Sequence, residues 1–314
     1  MTPQTAFFIP KKSRLMDIDQ IKIHFDPSQM TMLNVCLAFL MFGVALDIRV
    51  SDFGAVFRQP RVPLVGLFTQ IFLFPLLTLG LVYIFRPPVS VALGMVLVSA
   101  CPSGNMSNFA THLAKGNVAL SVTLTSLLTL AAIVTTPLSF ALCAQFVPGA
   151  AEFQKEITID PLAMVKIIIQ LILLPLLVGI FLQKQFPNFV HKIKKPISIL
   201  SLLIFAAFIV GALVGNAANI SQHLGKVFFI VLVHNSAALA LGYYFARSWG
   251  IGIRDARTLA IESGIHNTGL GLILVFNFFN GIGGMAMVAA WWGIWDMIAV
   301  SALAIWWGSH SQKA

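Results

Sequence analysis

The chain is a succession of apolar runs, each near the roughly 20 residues a helix needs to cross a bilayer. Nine runs are legible: Met30–Ile48, Val62–Phe85, Val91–Leu113, Val118–Val147, Pro161–Leu182, Ile197–Asn216, Gly225–Ala246, Thr258–Phe279 and Met285–Trp307. The fourth is overlong and holds Pro137, which predicts a kink and an end beyond the membrane. The longest connections, Pro148–Asp160 and Gln183–Pro196, are short, so no soluble domain interrupts the spans. Residues 1–29 are polar and mixed in charge and read as a tail. Within it, Ile18, Ile21 and Phe25 suit a brief amphipathic turn on the membrane surface. The apolar stretch Ala6–Pro10 is too short for a signal peptide. The expected fold class is an all-α polytopic membrane protein.

Two runs carry polar residues at mid-span. In the eighth, Leu259 to Gly271 reads LAIESGIHNTGLG, bringing Glu262, Ser263, His266, Asn267 and Thr268 together. Gly264, Gly269 and Gly271 weaken the helix there. A carboxylate near the bilayer centre costs about 2.5–3.5 kcal/mol on insertion scales, which makes it a functional candidate. A polar knot between packed helices is the plainer alternative. An acid joined by amide, imidazole and hydroxyl groups within a few residues argues for function. In the third run, Ser99-Ala-Cys-Pro-Ser-Gly-Asn-Met-Ser-Asn108 is interrupted in the same way. Pro102 removes a backbone donor and Gly104 loosens the chain, while Ser103, Asn105, Ser107 and Asn108 supply polar atoms. Backbone freed at membrane depth must line a cavity or be buried in protein.

Runs three and eight are five apart, so they cross the membrane in opposite directions. Two interrupted helices at matching places in opposed halves mark an inverted-repeat transporter. A five-plus-five plan with its first helix missing yields the nine spans. A second echo, Gln70-Ile-Phe-Leu-Phe-Pro-Leu-Leu77 against Gln170-Leu-Ile-Leu-Leu-Pro-Leu-Leu177, pairs spans two and five instead. It conflicts with that register and reads as chance similarity between Leu-rich helices.

Crossed broken helices have a direct electrostatic logic. The C-terminal end of each first half presents free carbonyls, suited to a hard cation. The N-terminal end of each second half presents free N–H groups, suited to an anion. Glu262 adds a full negative charge on the cation side. Carboxylate, amide and hydroxyl oxygens favour hard ions over zinc or copper. A cation-coupled carrier of an anionic solute follows.

Composition narrows the class further. With 58% hydrophobic and 10% charged residues over 314 positions, this is an integral membrane protein and not a soluble enzyme. The net charge of +9 does not point to nucleic acid, because the basic residues sit in short loops. One set of alternate loops holds Arg49, Arg58, Arg61, Lys115, Lys184, Lys192, Lys194, Lys195, Arg247, Arg254 and Arg257, with Lys313 beyond. The other set and its flanks hold Arg86, Lys155, Lys166 and Lys226. The positive-inside rule puts the first set and the C-terminus in the cytoplasm. Lys11, Lys12, Arg14 and Lys22 pull the other way and are outnumbered. Cys36, Cys101 and Cys143 all lie in apolar runs and imply no disulfide framework.

Three motifs give the chain a resemblance to the bile acid:sodium symporter family: Cys101-Pro-Ser-Gly-Asn-Met-Ser-Asn108, Lys115-Gly-Asn-Val-Ala-Leu-Ser-Val122 and Ile261-Glu-Ser-Gly-Ile-His-Asn-Thr-Gly269. It spans nearly everything from Met30 to Trp307. The resemblance implies a core domain, about residues 62–147 and 225–307, moving against a panel domain, about 30–48 and 161–216. It also implies two sodium sites sharing Glu262. The first would use Ser107, Asn108, Ser121, Thr125 and Glu262. Ser121 and Thr125, four apart, share a helix face. The second would use Gln70, Glu262, the carbonyls of Ser263 and Ile265, and the side chain at 266. Relatives commonly carry Gln there; this chain has His266, as a neutral spectator, a proton-binding substitute for sodium, or a weak ligand. Asn105, Asn267, Thr268 and Asp296 are the expected substrate contacts. Asp296 has an alternative as a carboxylate hydrogen-bonded to a neighbouring helix. His234 and Asn235 read as a packing or interhelical hydrogen-bonding pair.

The expectation is a multi-pass protein of the plasma membrane (the inner one in a bacterium) that couples sodium entry to uptake of a small organic anion. Its partners are sodium, the anion and the bilayer, without nucleic acid and without a cofactor beyond the coupling ions. Arsenite-efflux relatives share the architecture but place a reactive Cys in the break. Here Cys101 precedes Pro102, in surroundings that resemble the symporters better. A proton-coupled carrier, a channel or sensor, and an intramembrane hydrolase using Ser103 or Ser107 with His266 are the other readings. No nucleophile motif surrounds either serine.

Overall fold

The computed structural model describes residues 18–22, 27–46, 60–151, 161–215 and 224–310. The described residues are almost wholly helical. In chain order they are α1 (Pro27–Ala45), α2 (Arg61–Phe68, a π turn Thr69–Leu73, then Phe74–Phe85), α3 (Val89–Ala100), α4 (Met106–Leu113) and α5 (Val118–Ala144). Then come α6 (Pro161–Ile168, a π turn Ile169–Leu173, then Leu174–Gln185), α7 (Pro187–Gly215), α8 (Leu224–Ser248), α9 (Ile253–Gly264), α10 (Thr268–Phe278) and α11 (Gly283–His310). Five segments among the described residues are long and apolar enough to cross a membrane: Arg61–Phe85, Val118–Ala144, Leu162–Gln185, Gly225–Ser248 and Gly283–His310. Taking α3 with α4 and α9 with α10 as one broken crossing each, and adding α1 and α7, the elements match the nine spans expected. The loop residues Arg49, Arg58 and Lys155, the tail residues Lys11, Lys12 and Arg14, Phe25, and Lys313 lie outside the described residues.

The broken crossings sit at the centre. In α3 every residue from Ser90 to Ala100 is buried, and in α10 every residue from Thr268 to Phe276. α3 packs against α2, α5 and α11, and α9 against α4, α5 and α8, while α10 lies between α1 and α11. A separate grouping joins α1 to α6 and α7, and α6 also leans on α5. Apolar side chains such as Leu64, Phe72, Leu76, Leu138, Leu142, Leu162, Leu174 and Phe181 face outward. An apolar outer surface is what a lipid-facing helix requires.

Several expectations need correcting. α7 begins at Pro187, inside what reads as a connection, and carries Pro196 in its interior. A Pro at a first helical position has the right φ and loses only an N–H that would be unpaired anyway. Lys192, Lys194 and Lys195 make that first stretch too polar for a hydropathy reading.

The Gln70 and Gln170 echo is not chance. In both places the helix widens into a π turn over matching residues, and the N–H of Phe74 reaches back to Thr69, as that of Leu174 does to Ile169. In both, the turn precedes a proline, Pro75 or Pro175. Proline has no N–H, and its ring clashes with the carbonyl four residues back in a regular helix.

Nor do Ile18 and Ile21 face a membrane surface; Phe25, the third residue of the expected turn, lies outside the described residues. Ile18 and Ile21 are buried in the central core, and the N–H of Gly283 donates to the Ile21 carbonyl at 2.7 Å. The Asp19 carboxylate accepts from the N–H groups of Val89 (3.3 Å) and Ser90 (2.8 Å), satisfying donors exposed at the start of α3.

Candidate functional site

The site begins with two helix stops. α3 ends where Pro102 approaches, and Cys101 turns extended at φ −74°, ψ 149°. α9 ends at Gly264, and Ile265 is extended at φ −112°, ψ 119°. The two extended segments pass antiparallel, with Ser103 opposite His266. Gly104 donates its N–H to the Ile265 carbonyl (3.2 Å), and Asn267 donates its own to the Pro102 carbonyl (2.8 Å). Each break thereby satisfies backbone groups freed by the other, as burial in an apolar core demands. A Cβ at Gly104 would lie 3.3 Å from the His266 carbonyl oxygen, so this close approach favours glycine. Asn235 on α8 donates its amide to the Gly264 carbonyl at 2.7 Å, closing the C-terminal end of α9. Asn267 accepts from the N–H of Leu270 and caps α10.

The motif around residue 115 positions the next helix. Lys115 adopts a left-handed φ of 53°, the Gly116 N–H returns to the Thr111 carbonyl at 2.9 Å, and Asn117 caps α5 through the Leu120 N–H. Arg254 and Arg257, at the start of α9, donate to the carbonyls of Gly116 and Ala114 just past the end of α4 (both 3.3 Å). Cations there complement the negative helix terminus. These ties hold α4, α5 and α9 in fixed register.

Their register converges on Glu262, which is 1% exposed. Its carboxylate accepts hydrogen bonds from the hydroxyls of Ser103 and Ser121, from Ser107 at 2.5 Å, and from Thr125 at 3.1 Å to both oxygens. These partners come from the extended segment, α4 and α5. Ser103, Ser107 and Thr111 recur every fourth residue, and Ser121 and Thr125 do the same on α5. Thr111 extends the cluster by donating to Ser121 at 3.4 Å. The structure thus brings together Ser107, Ser121, Thr125 and Glu262. Asn108 is not among the carboxylate's partners, and its side-chain oxygen is buried without one. Ser103 was legible as a polar residue of the break and as a possible nucleophile, but not as a partner of Glu262.

The residues of the expected second site lie near one another but make other contacts. The His266 ring places Nδ1 3.1 Å from the Cys101 carbonyl and Nε2 3.0 Å from that of Ser263. The Ile265 carbonyl is taken by Gly104. Phe74 stacks on the imidazole with centroids 4.8 Å apart, and Trp292 meets it edge-on at 5.7 Å. Gln70, one turn before Phe74, is buried with neither amide atom hydrogen-bonded. It lines a small, partly open pocket together with Ser99, Cys101, Pro102, Thr135 and Ser139.

Of the expected substrate contacts, Asn105 and Thr268 stand at the starts of α4 and α10, and Asn267 reaches Met41 of α1 at 3.6 Å. Asp296 is buried and accepts from the backbone N–H of His266 at 3.4 Å, a bond to the extended segment and not to a neighbouring helix. His234 bonds Thr78 at 2.7 Å, so both members of the His234–Asn235 pair make interhelical hydrogen bonds.

An all-α membrane protein with two broken helices crossed over a buried carboxylate has the form of a secondary transporter. Residues 34–223 match the model of the Sodium Bile acid symporter family, and the chain belongs to that family. It is 31% identical over 282 residues to the uncharacterized sodium-dependent transporter YocS of Bacillus subtilis, covering 90% of this chain and 84% of that one. It is also 31% identical to a probable chloroplastic sodium/metabolite cotransporter, BASS2 of rice (Oryza sativa subsp. japonica), covering 92% and 68%. Against Arabidopsis thaliana BASS1, similarly named, identity is 30% over 78% of this chain and 59% of the relative. The protein is a multi-pass membrane protein of a sodium-coupled transporter family, not an enzyme.

Proposed function

We propose that the chain is a symporter that couples entry of sodium to movement of a small organic anion by alternating access. The observation that carries this reading is the buried Glu262 carboxylate ringed by four hydroxyls where two broken helices cross. All the donor atoms are hard oxygens, which suits sodium and not a transition metal. Each hydroxyl now donating to Glu262 keeps lone pairs with which to meet a cation. Sodium would neutralise the carboxylate and steady the crossing. The carbonyl ends of α3 and α9 add partial negative charge on the same side.

The anion belongs on the opposite side of the crossing, at the starts of α4 and α10, where N–H groups and the positive helix ends face it. Asn105, Asn267 and Thr268 flank that position. Contact between Asn267 and Met41 sets it against α1, so the second group of helices (α1, α6 and α7) borders it. Rocking of that panel against the core would open the border to one side and then the other. The names of the relatives, sodium-dependent transporter and sodium/metabolite cotransporter, agree with this scheme. A hydrolase reading lacks its catalytic pair, because Ser103 and Ser107 donate to Glu262 while both His266 ring nitrogens face carbonyls.

The test is uptake of radiolabelled small carboxylates into proteoliposomes under an inward sodium gradient. Accumulation above equilibrium is expected with sodium and not with potassium at equal ionic strength. Equal uptake under both salts for every acid transported would overturn the proposal.

A further inference from the structure

We infer that the imidazole of His266 occupies the position a second coupling ion would need, so that the protein binds one sodium ion per chain. The inference rests on the sodium reading above and concerns its stoichiometry. The candidate position lies where the chain ends of α3 and α9 converge, beside Cys101 and Ser263, because free carbonyls at helix ends attract cations. In this chain those carbonyls already face the ring: Cys101 at Nδ1 and Ser263 at Nε2. The next carbonyl along, that of Ile265, is held by the Gly104 N–H across the crossing.

The walls confirm the mismatch in chemistry. Phe74, fully buried, lies flat on the imidazole at an interplanar angle of 19°, and its other neighbour His234 is stacked at 5.0 Å. Trp292 closes the edge. A sodium ion needs several oxygen ligands in place of its water shell, and an aromatic sandwich offers none. Gln70, the remaining amide, is buried with both polar atoms unpaired, one helical turn away on the wider π segment. The residues present therefore do not fit a second ion, whereas those around Glu262 fit a first.

His266 is thus a positioning residue set between the ends of α3 and α9: the neutral ring donates to one of the two carbonyls, and the imidazolium donates to both. The experiment is equilibrium binding of radioactive sodium to the purified full-length protein in detergent, with stoichiometry counted per polypeptide. Wild type should bind one ion with a Hill coefficient near one. His266→Gln should bind two, with a steeper isotherm, since an amide oxygen replaces the ring and releases both carbonyls. His266→Asn serves if the Gln variant does not fold.

Two ions bound by wild type would overturn the inference and leave the sodium reading standing. One ion bound by folded His266 variants would show that the ring is not what excludes the second, and overturns it equally. Absence of binding in wild type and variants alike would remove the sodium site at Glu262 and the inference with it.

Discussion

Replacing Glu262 by Gln keeps the shape of the site and removes its charge. The hydroxyls of Ser107 and Thr125 stand 2.5 and 3.1 Å from the carboxylate, so an ion seated among them is about 3 Å from the charge. At an effective dielectric of about 20, that separation corresponds to an attraction of about 5–6 kcal/mol. If half is offset when the hydroxyls reorganise, about 2.8 kcal/mol remains, or about 100-fold in sodium affinity. The assay is thermal unfolding of the purified protein against sodium, with potassium holding ionic strength constant to remove general screening. At about 100 times the wild-type Kd, sodium should stabilise wild type by about 2.7 kcal/mol. The same concentration would only equal the variant's Kd and contribute about 0.4 kcal/mol. The ion-free variant should be no less stable than wild type, because an uncompensated buried charge has been removed. A Glu262→Gln protein that titrates with sodium like wild type would refute the site.

Ser121→Ala and Thr125→Ala should each weaken sodium binding about 5- to 10-fold, and the double variant by less than the product, since both oxygens act on one ion. Unchanged isotherms for both would remove α5 from the site. Asn235→Ala leaves the Gly264 carbonyl unpaired in an apolar interior and should cost about 1–3 kcal/mol in sodium-free unfolding; no loss would mean that the end of α9 is satisfied by another group. Asp19→Ala removes the acceptor for the Val89 and Ser90 N–H groups and should lower stability by about 0.5–2 kcal/mol. Asp19→Asn should recover much of that loss, and a neutral Asp19→Ala would show that the N-terminal segment does not brace α3.

What was legible in the sequence follows from how far each force reaches along the chain. The nine spans and the two breaks are local: hydropathy sets the first, and Pro102, Gly104 and Gly264 mark the second. Ser121 and Thr125 could be placed on one face because helical period is local as well. Ser103 was harder. It lies on an extended segment where the four-residue rule has no geometric meaning until the chain is folded, and its partner is 159 positions away. Asn235 was legible as an interhelical hydrogen-bonding residue but its partner was not, since that is a backbone carbonyl 29 residues on that is free only because α9 stops at Gly264.

The tail and the repeat were misread for opposite reasons. Around Ile18 and Ile21 the sequence is short and mixed in charge, with nothing local to say that its apolar side chains enter a core between α3 and α11. Asp19 is decisive there, yet a lone acid in a polar tail is an ordinary solvated residue until a helix start lies against it. With Gln70 and Gln170 the local signal was real, but the question put to it was about fold symmetry. Both segments place a proline five residues after the glutamine and widen by one turn ahead of it, whereas α5 and α7 carry Pro137 and Pro196 in regular helix. The likeness therefore records a shared backbone feature and not a duplicated span. It also places Gln70 on a loosened turn, with an amide that has no partner, beside the crossing it was expected to serve.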